Sequence, residues 1–198
     1  MSYVIRAVGL SGARHPARRH SRSVCHGVRG RGGGEATVEP GTALFTPGDP
    51  TAPKHPHWCK RHVALMVGYD GRGYKGNTMN LTDLPRGATV DGVLEDALFR
   101  AGAILPTNYA RPSRLKWKVS SRTDRGVSSL CTWVSARLLV DPEHLASDAT
   151  GSGLAAEVNA LLPPEVRVFC ARRVPKRFDA RTDCVAREYE YLLPARVL

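Results

Sequence analysis

The stretch Ser120-Ser121-Arg122-Thr123-Asp124-Arg125-Gly126-Val127-Ser128-Ser129 constrains this chain most. An acid stands between two arginines, and a glycine follows at once. Directly after it, Leu130, Thr132, Val134, Ala136 and Leu138 alternate with Cys131, Trp133, Ser135, Arg137 and Leu139. A period of two is that of a β-strand. The Arg-Thr-Asp-Arg-Gly segment is therefore expected to be a loop entering a sheet. A rigid element would aim its carboxylate without burying it. Gly126 permits a tight turn there or the close approach of a ligand. An ordinary surface Arg–Asp pair in a loop is the plain alternative that these residues alone leave open.

The flanking pattern supplies a domain around this loop. Val63, Leu65 and Val67 alternate with Ala64 and Met66, so this strand is apolar on both faces and belongs in the middle of a sheet. A glycine-rich exit follows through Gly71, Gly73 and Gly76. Thr89 is a good N-cap. Val90, Val93, Leu94, Ala97, Leu98 and Ala101 after it share one helical face. Asp91, Glu95 and Asp96 are expected on the opposite face, with acids near the favourable end of the helix dipole. Residues 105–118 read as a basic loop. Its Tyr109 and Trp117 suit either stacking on single-stranded RNA or ordinary loop packing. A second helix carries Leu154, Ala155, Val158, Leu161 and Leu162 and ends at Pro163-Pro164. Strands follow over 166–173 and 187–193. The order strand, helix, strand, helix, strand, strand predicts an α+β fold, an open sheet with helices on one face.

Charge divides the chain unevenly. The net charge of +11 suggests a polyanionic partner such as RNA. Much of it lies outside the domain: residues 1–62 hold ten Lys or Arg against three acids, which leaves 63–198 a net of only +4. Residues 1–34 contain seven arginines and no Asp or Glu, a composition that matches an organellar transit peptide or a disordered basic arm. Residues 35–56 read as a Pro, Gly and Thr-rich linker. Residues 1–60 are thus expected to be leader and linker, and 61–198 the folded domain. No apolar run is long enough for a secretory core or a membrane span. His55, His57, Cys59 and His62 are zinc ligand types, but their spacing fits no standard closed site and Lys60 and Arg61 would repel a cation. They read as solvated linker, and no metal is expected. The five cysteines are scattered without a C-x-x-C pair, which suggests reduced thiols.

The Arg122-Thr123-Asp124-Arg125-Gly126-Val127 stretch resembles the signature of TruA-type tRNA pseudouridine synthases, usually Arg-Thr-Asp-(Lys/Arg/Ala)-Gly-Val-His. The resemblance extends in order through Ala64 to Gly76, Thr89 to Leu98, Val158 to Pro163, Phe178 to Arg181 and Arg187 to Pro194. Its flavour is that of the eukaryotic, plant or algal branch. It implies the ferredoxin-like N-terminal half of the pseudouridine synthase fold, with a mixed, mostly antiparallel sheet. It also implies isomerisation of uridine to pseudouridine in tRNA or another structured RNA, without a cofactor. It assigns the catalytic carboxylate to Asp124. By the same resemblance Arg122 occupies the space a flipped uridine leaves and pairs with Asp124, and Tyr189 packs on the flipped base.

Two departures stand out. Ser128 replaces the family histidine, and Asn77 replaces a frequent glutamine. The family also has a second similar domain, whereas this sequence stops at Leu198, just after the Tyr189 strand. A homodimer or a partner chain would then supply the missing half. The rival expectation is a non-catalytic RNA-binding or structural subunit of an organellar ribonucleoprotein. The leader points to mitochondria or chloroplasts, with nucleus or cytoplasm as the alternative. A fluorescent fusion of residues 1–60 should accordingly enter one of those organelles; a uniform cytosolic or nuclear signal would sink the transit-peptide reading.

Overall fold

The computed structural model describes residues 2–10, 58–79, 84–148 and 150–192. Its sheet is built from β1 (Ser2–Leu10), β2 (Cys59–Tyr69), β3 (Lys118–Val119), β4 (Ser128–Val140), β5 (Val166–Arg173) and β6 (Cys184–Leu192). The strand order is β5-β2-β4-β1-β6, with the short β3 also on β4. β1 runs parallel to β4, and the other pairings are antiparallel. This is the mixed, mostly antiparallel α+β sheet that the sequence predicts. β1 falls in the stretch that the sequence assigns to the leader. The zinc-ligand types His55 and His57 lie outside the described residues. The described cysteines, Cys59, Cys131, Cys170 and Cys184, form no disulfide.

β2 lies between β4 and β5 and is covered on both sides, as its unbroken apolar run requires. Val63, Leu65, Val67 and Tyr69 join Val134, Ala136 and Leu138 of β4 in the main core. Helices α1 (Val90–Arg100) and α4 (Ser152–Asn159) close that face, with the short α2 (Pro112–Leu115) and α3 (Pro142–Ser147) beside them. On the other face Ala64 packs with Phe178 and Ala180. That covering segment is fixed by the Ala180 amide donating to Ser135 Oγ (3.1 Å) and the Val174 amide donating to the His62 carbonyl (2.9 Å). The far edge of the sheet is β5. Asn159 at the end of α4 binds that edge twice, its Nδ2 donating to the Val168 carbonyl and its Oδ1 accepting from the Val168 amide, both at 2.8 Å. A side-chain amide thus substitutes for a neighbouring strand and satisfies an edge that would otherwise stay open.

Helix α1 begins where the sequence places it, with Thr89 Oγ1 accepting from the Gly92 amide. Its polar face is covered as well: Asp91 and Glu95 are buried. The turn at 86–88 and the segment 105–117 fold over this face. Glu95 pairs with Arg86 and accepts from the Ala110 amide, and Asp96 accepts from the Tyr109 hydroxyl. Tyr109 lies against Phe99 with ring centroids 4.3 Å apart, under the Arg86 guanidinium. Trp117 is buried in the core. Neither aromatic is a free stacking platform. Helical periodicity marks the strongest apolar stripe but cannot reveal a loop that later covers the opposite one.

Burial pushes the Asp91 carboxyl up to about 7, against the opposing pull of the Trp117 indole and the Met79 backbone. Its folded value is therefore above its unfolded one. The stability this group contributes is complete below about pH 4 and is lost as pH rises to about 7. Each pH unit in that window is worth about 1.4 kcal/mol for one proton. Asp91→Asn carries no such proton, so its Tm relative to wild type should rise from pH 4 to about pH 7 and level off above that. Paired thermal melts across that range check this, and a pH-independent difference would contradict it.

Candidate active site

The chain leaves the sheet at Ser120. The Ser120 amide donates to the Trp133 carbonyl (2.8 Å), and Ser120 Oγ accepts from the Trp133 amide (2.9 Å). Beyond this rung the backbone has no strand partner, yet Ser121 and Thr123 are buried. Buried backbone groups need substitutes. Asn77 provides them: its Nδ2 donates to the Ser121 carbonyl (2.8 Å), and its Oδ1 accepts from the Thr123 amide (2.9 Å). Its own amide donates to the Thr123 carbonyl (3.3 Å). Tyr69 at the end of β2 shares a hydroxyl hydrogen bond of 2.8 Å with Thr123 Oγ1.

This bracing sets the exposure of the loop. Ser121 and Thr123 point inward, so the alternate residues Arg122 and Asp124 stand outward on one face. The Val127 amide then donates to the Asp124 carbonyl (3.2 Å), closing a turn in which Gly126 has φ +78° and open space around it. Gly76, with φ +114°, lies so near that a Cβ would come 2.9 Å from the Thr123 carbonyl oxygen. Glycine is therefore required at 76 both by backbone conformation and by the close approach of the loop.

The two departures from the family pattern acquire definite roles. Asn77 is 1% exposed and is the main brace of the loop. Ser128 Oγ accepts from the Gly71 amide (3.0 Å) and donates to Asp70 Oδ1 (3.4 Å), so it joins the β2 exit to the end of the loop. Arg72 holds the Asp70 carboxyl down to about 2, chiefly by its hydrogen bonds.

The expected pairing of Arg122 with Asp124 is not formed: among the described residues no ion pair ties Asp124 to Arg122 or Arg125. Both arginines stand in solvent, where a pair gains little. Arg122 instead lines a cavity of about 160 Å³ with Asp91, Trp117 and Arg181. Tyr189 is 52% exposed on β6. It is linked to the loop indirectly. Arg187, two residues earlier on the same side of that strand, donates from Nε and Nη2 to the Ser120 carbonyl (2.8 and 2.5 Å) and from Nη2 to the Arg181 carbonyl (3.1 Å). Sequence reading missed the structural roles of Tyr69, Asn77 and Arg187. An asparagine directly after the last glycine of the turn, at Gly76-Asn77, was the one signal the sequence offered. Among the described residues no group of three or more His, Cys, Asp or Glu side chains gathers as a metal site.

The mixed α+β sheet with helices on one face is consistent with a pseudouridine synthase half-domain. Comparison with known proteins narrows this. The chain is 36% identical over 143 residues to tRNA pseudouridine synthase 1 of Candida albicans, covering 72% of this chain and 21% of that protein. It is 36% identical over 155 residues to tRNA pseudouridine synthase 1 of Saccharomyces cerevisiae, covering 78% and 26%. The tRNA pseudouridine(27/28) synthase of the same yeast is 33% identical over 134 residues, covering 68% and 32%. No protein-family model matches. Over roughly 70% of its own length the chain is thus similar to tRNA pseudouridine synthases, the TruA-type family that its motifs resemble. It spans about a fifth to a third of the length of these relatives. They are fungal, and give no support to a plant or algal branch.

Replacing Asn77 by Ala leaves the Ser121 carbonyl and the Thr123 amide without their side-chain partner, which should cost about 1–3 kcal/mol. The Thr123 amide should exchange with solvent much faster than in wild type. Asn77→Asp, which still accepts from Thr123 but repels the Ser121 carbonyl, should fall between. Hydrogen exchange at Thr123, read beside a thermal melt, decides: unchanged protection in Asn77→Ala would remove Asn77 as the brace.

Proposed function

We propose that this chain carries the catalytic carboxylate of an RNA pseudouridine synthase that isomerises uridine in tRNA. The observation that carries the reading is the outward presentation of Asp124 beside Arg122, on a loop held from beneath by Asn77 and Tyr69. The family relatives are named for this activity. In the reaction the C1′–N1 bond breaks, the uracil turns, and a C1′–C5 bond forms. C5 gives up a proton, N1 regains one, and no electrons are exchanged, so the balance needs no cofactor. A carboxylate serves this chemistry as a nucleophile toward sugar or base, or as a base at C2′.

A uridine stacked in RNA must first be flipped out, at a cost of a few kcal/mol. Arg122 is long, cationic and exposed next to the carboxylate, which suits it to fill the vacated space. Tyr189 offers an exposed ring on a strand tied to the loop through Arg187, which suits it to pack on the flipped base. The substrate is tRNA or another structured RNA. The rest of the RNA-binding wall is supplied by further sequence, a second copy or a partner chain. The arginine-rich, acid-free first 34 residues support an organellar site of action.

Asp124→Asn keeps size and hydrogen bonding but removes the anion. The full-length variant should melt as wild type does and bind tRNA at least as well, since removing a negative charge eases the approach of phosphates. Release of tritium from C5-labelled uridine in tRNA should fall below detection. In the same titrations Tyr189→Ala should weaken RNA binding by about 1–3 kcal/mol, the worth of one stacked base. Wild-type release by Asp124→Asn would remove Asp124 from the mechanism, and no release by wild type would favour a non-catalytic RNA-binding subunit.

A further inference from the structure

One group of cations in the folded domain is not used by the chemistry above. Two grooves meet at His62 and Lys176, and the second reaches, through Pro112, Trp117 and Lys118, the cavity that Arg122 lines. Arg137, Arg173 and Lys176 line the first; Lys116, Lys118 and Arg177 join in the second. All six are exposed, and none forms an ion pair among the described residues. The acid on this rim, Asp179, turns its Oδ1 to the Arg181 amide (2.8 Å). A domain with a net charge of only +4 over 63–198 has therefore gathered six unpaired cations along one rim. Their field is felt by His62 on the floor: burial first, then Lys116 and Arg137, lower its pKa.

The apolar side chains of the rim define the kind of anion. Trp117 and Phe178, the aromatic residues lining these grooves, are 9% and 6% exposed. A surface for single-stranded RNA needs open aromatic faces for bases to stack on. The exposed rings, Phe169, Tyr189 and Tyr191, lie elsewhere, on β5 and β6. Cations without stacking faces suit a backbone whose bases are already paired. Along β4, Arg137 lies eight residues from Ser129, roughly 26 Å at about 3.3 Å per residue. An RNA bound at both ends spans that length, and with no open ring in the grooves to stack on, a paired stem suits them better than a single strand.

We propose that this basic rim is a docking surface for the phosphate backbone of an RNA duplex, the stem beside the target uridine. The proposal rests on the reading of the chain as a tRNA-modifying enzyme and adds where the rest of the RNA lies. The rim positions the stem, and the loop acts on the nucleotide beyond it.

The test uses the full-length protein, with Arg173, Lys176 and Arg177 changed together to Glu, in titrations of tRNA, a short RNA duplex and a short single strand over a range of salt. The changes are on exposed side chains; Lys176→Gln with Arg177→Gln serves as the milder pair if the triple variant melts early. Affinity for tRNA and duplex should fall at least about tenfold, and the slope of log affinity against log salt should shrink by about 2 to 3, one unit per lost phosphate contact. Binding of the single strand should change little. Unchanged duplex affinity and slope would overturn the proposal. A loss confined to the single strand, or to anionic lipid vesicles, would overturn it too. Tritium release separates the two readings. Release by wild type with duplex binding indifferent to the triple change would sink the rim and leave the enzyme standing. Rim-dependent duplex binding without release would do the reverse.

Discussion

A length of backbone that leaves a sheet but stays buried must find new hydrogen-bond partners, and that constraint governs this structure. Between Ser120 and Thr123 the chain has lost its strand neighbour and has not reached solvent. Asn77 meets the need with both ends of its amide, and Arg187 takes the carbonyl of Ser120. Because Ser121 and Thr123 are held inward, Arg122 and Asp124 have no choice but to face outward. The exposure of the carboxylate is thus a consequence of backbone satisfaction beneath it. A loose loop would lose backbone freedom on meeting substrate; here that backbone ordering is complete before RNA arrives.

The same physical demand appears at two other places. β5 is an edge strand, and Asn159 closes it with paired hydrogen bonds to Val168. Glu95 is carried inside by α1, and Arg86 and the Ala110 amide meet it there. In each case a buried polar group is matched to a partner far along the chain. Asp91 differs, since burial raises its pKa to about 7 in spite of its neighbours. It lies in the cavity that Arg122 also lines, so the one strongly perturbed buried acid described here is adjacent to the candidate site and not within it.

The surface divides by chemistry. The loop end presents a carboxylate, guanidinium groups and, on β6, open aromatic rings. A rim running from Lys118 to Arg173 presents cations over buried aromatics. An unpaired nucleotide and a paired stem ask for these two kinds of surface, and the strands of the sheet fix the spacing between them.

The sequence alone determined the parts that depend on local period and local order. The alternation after Ser129, the apolar stripe of α1, its Thr89 cap, and the Pro163-Pro164 stop beyond α4 are visible because neighbours along the chain decide them. The candidate carboxylate was legible for the same reason, as an acid between two arginines at a strand entry. Tertiary structure alone decided what depends on distant segments. It showed that Asp91 and Glu95 are covered, because residues 86–88 and 105–117 fold back over the face that periodicity leaves polar. It showed Trp117 in the core and not as an open stacking face. It showed Asn77 gripping a loop 44 residues away, and it left Arg122 and Asp124 unpaired although they are two residues apart. Sequence spacing records which groups are near along the chain; only packing records which buried groups still need a partner, and that need is what holds this site in place.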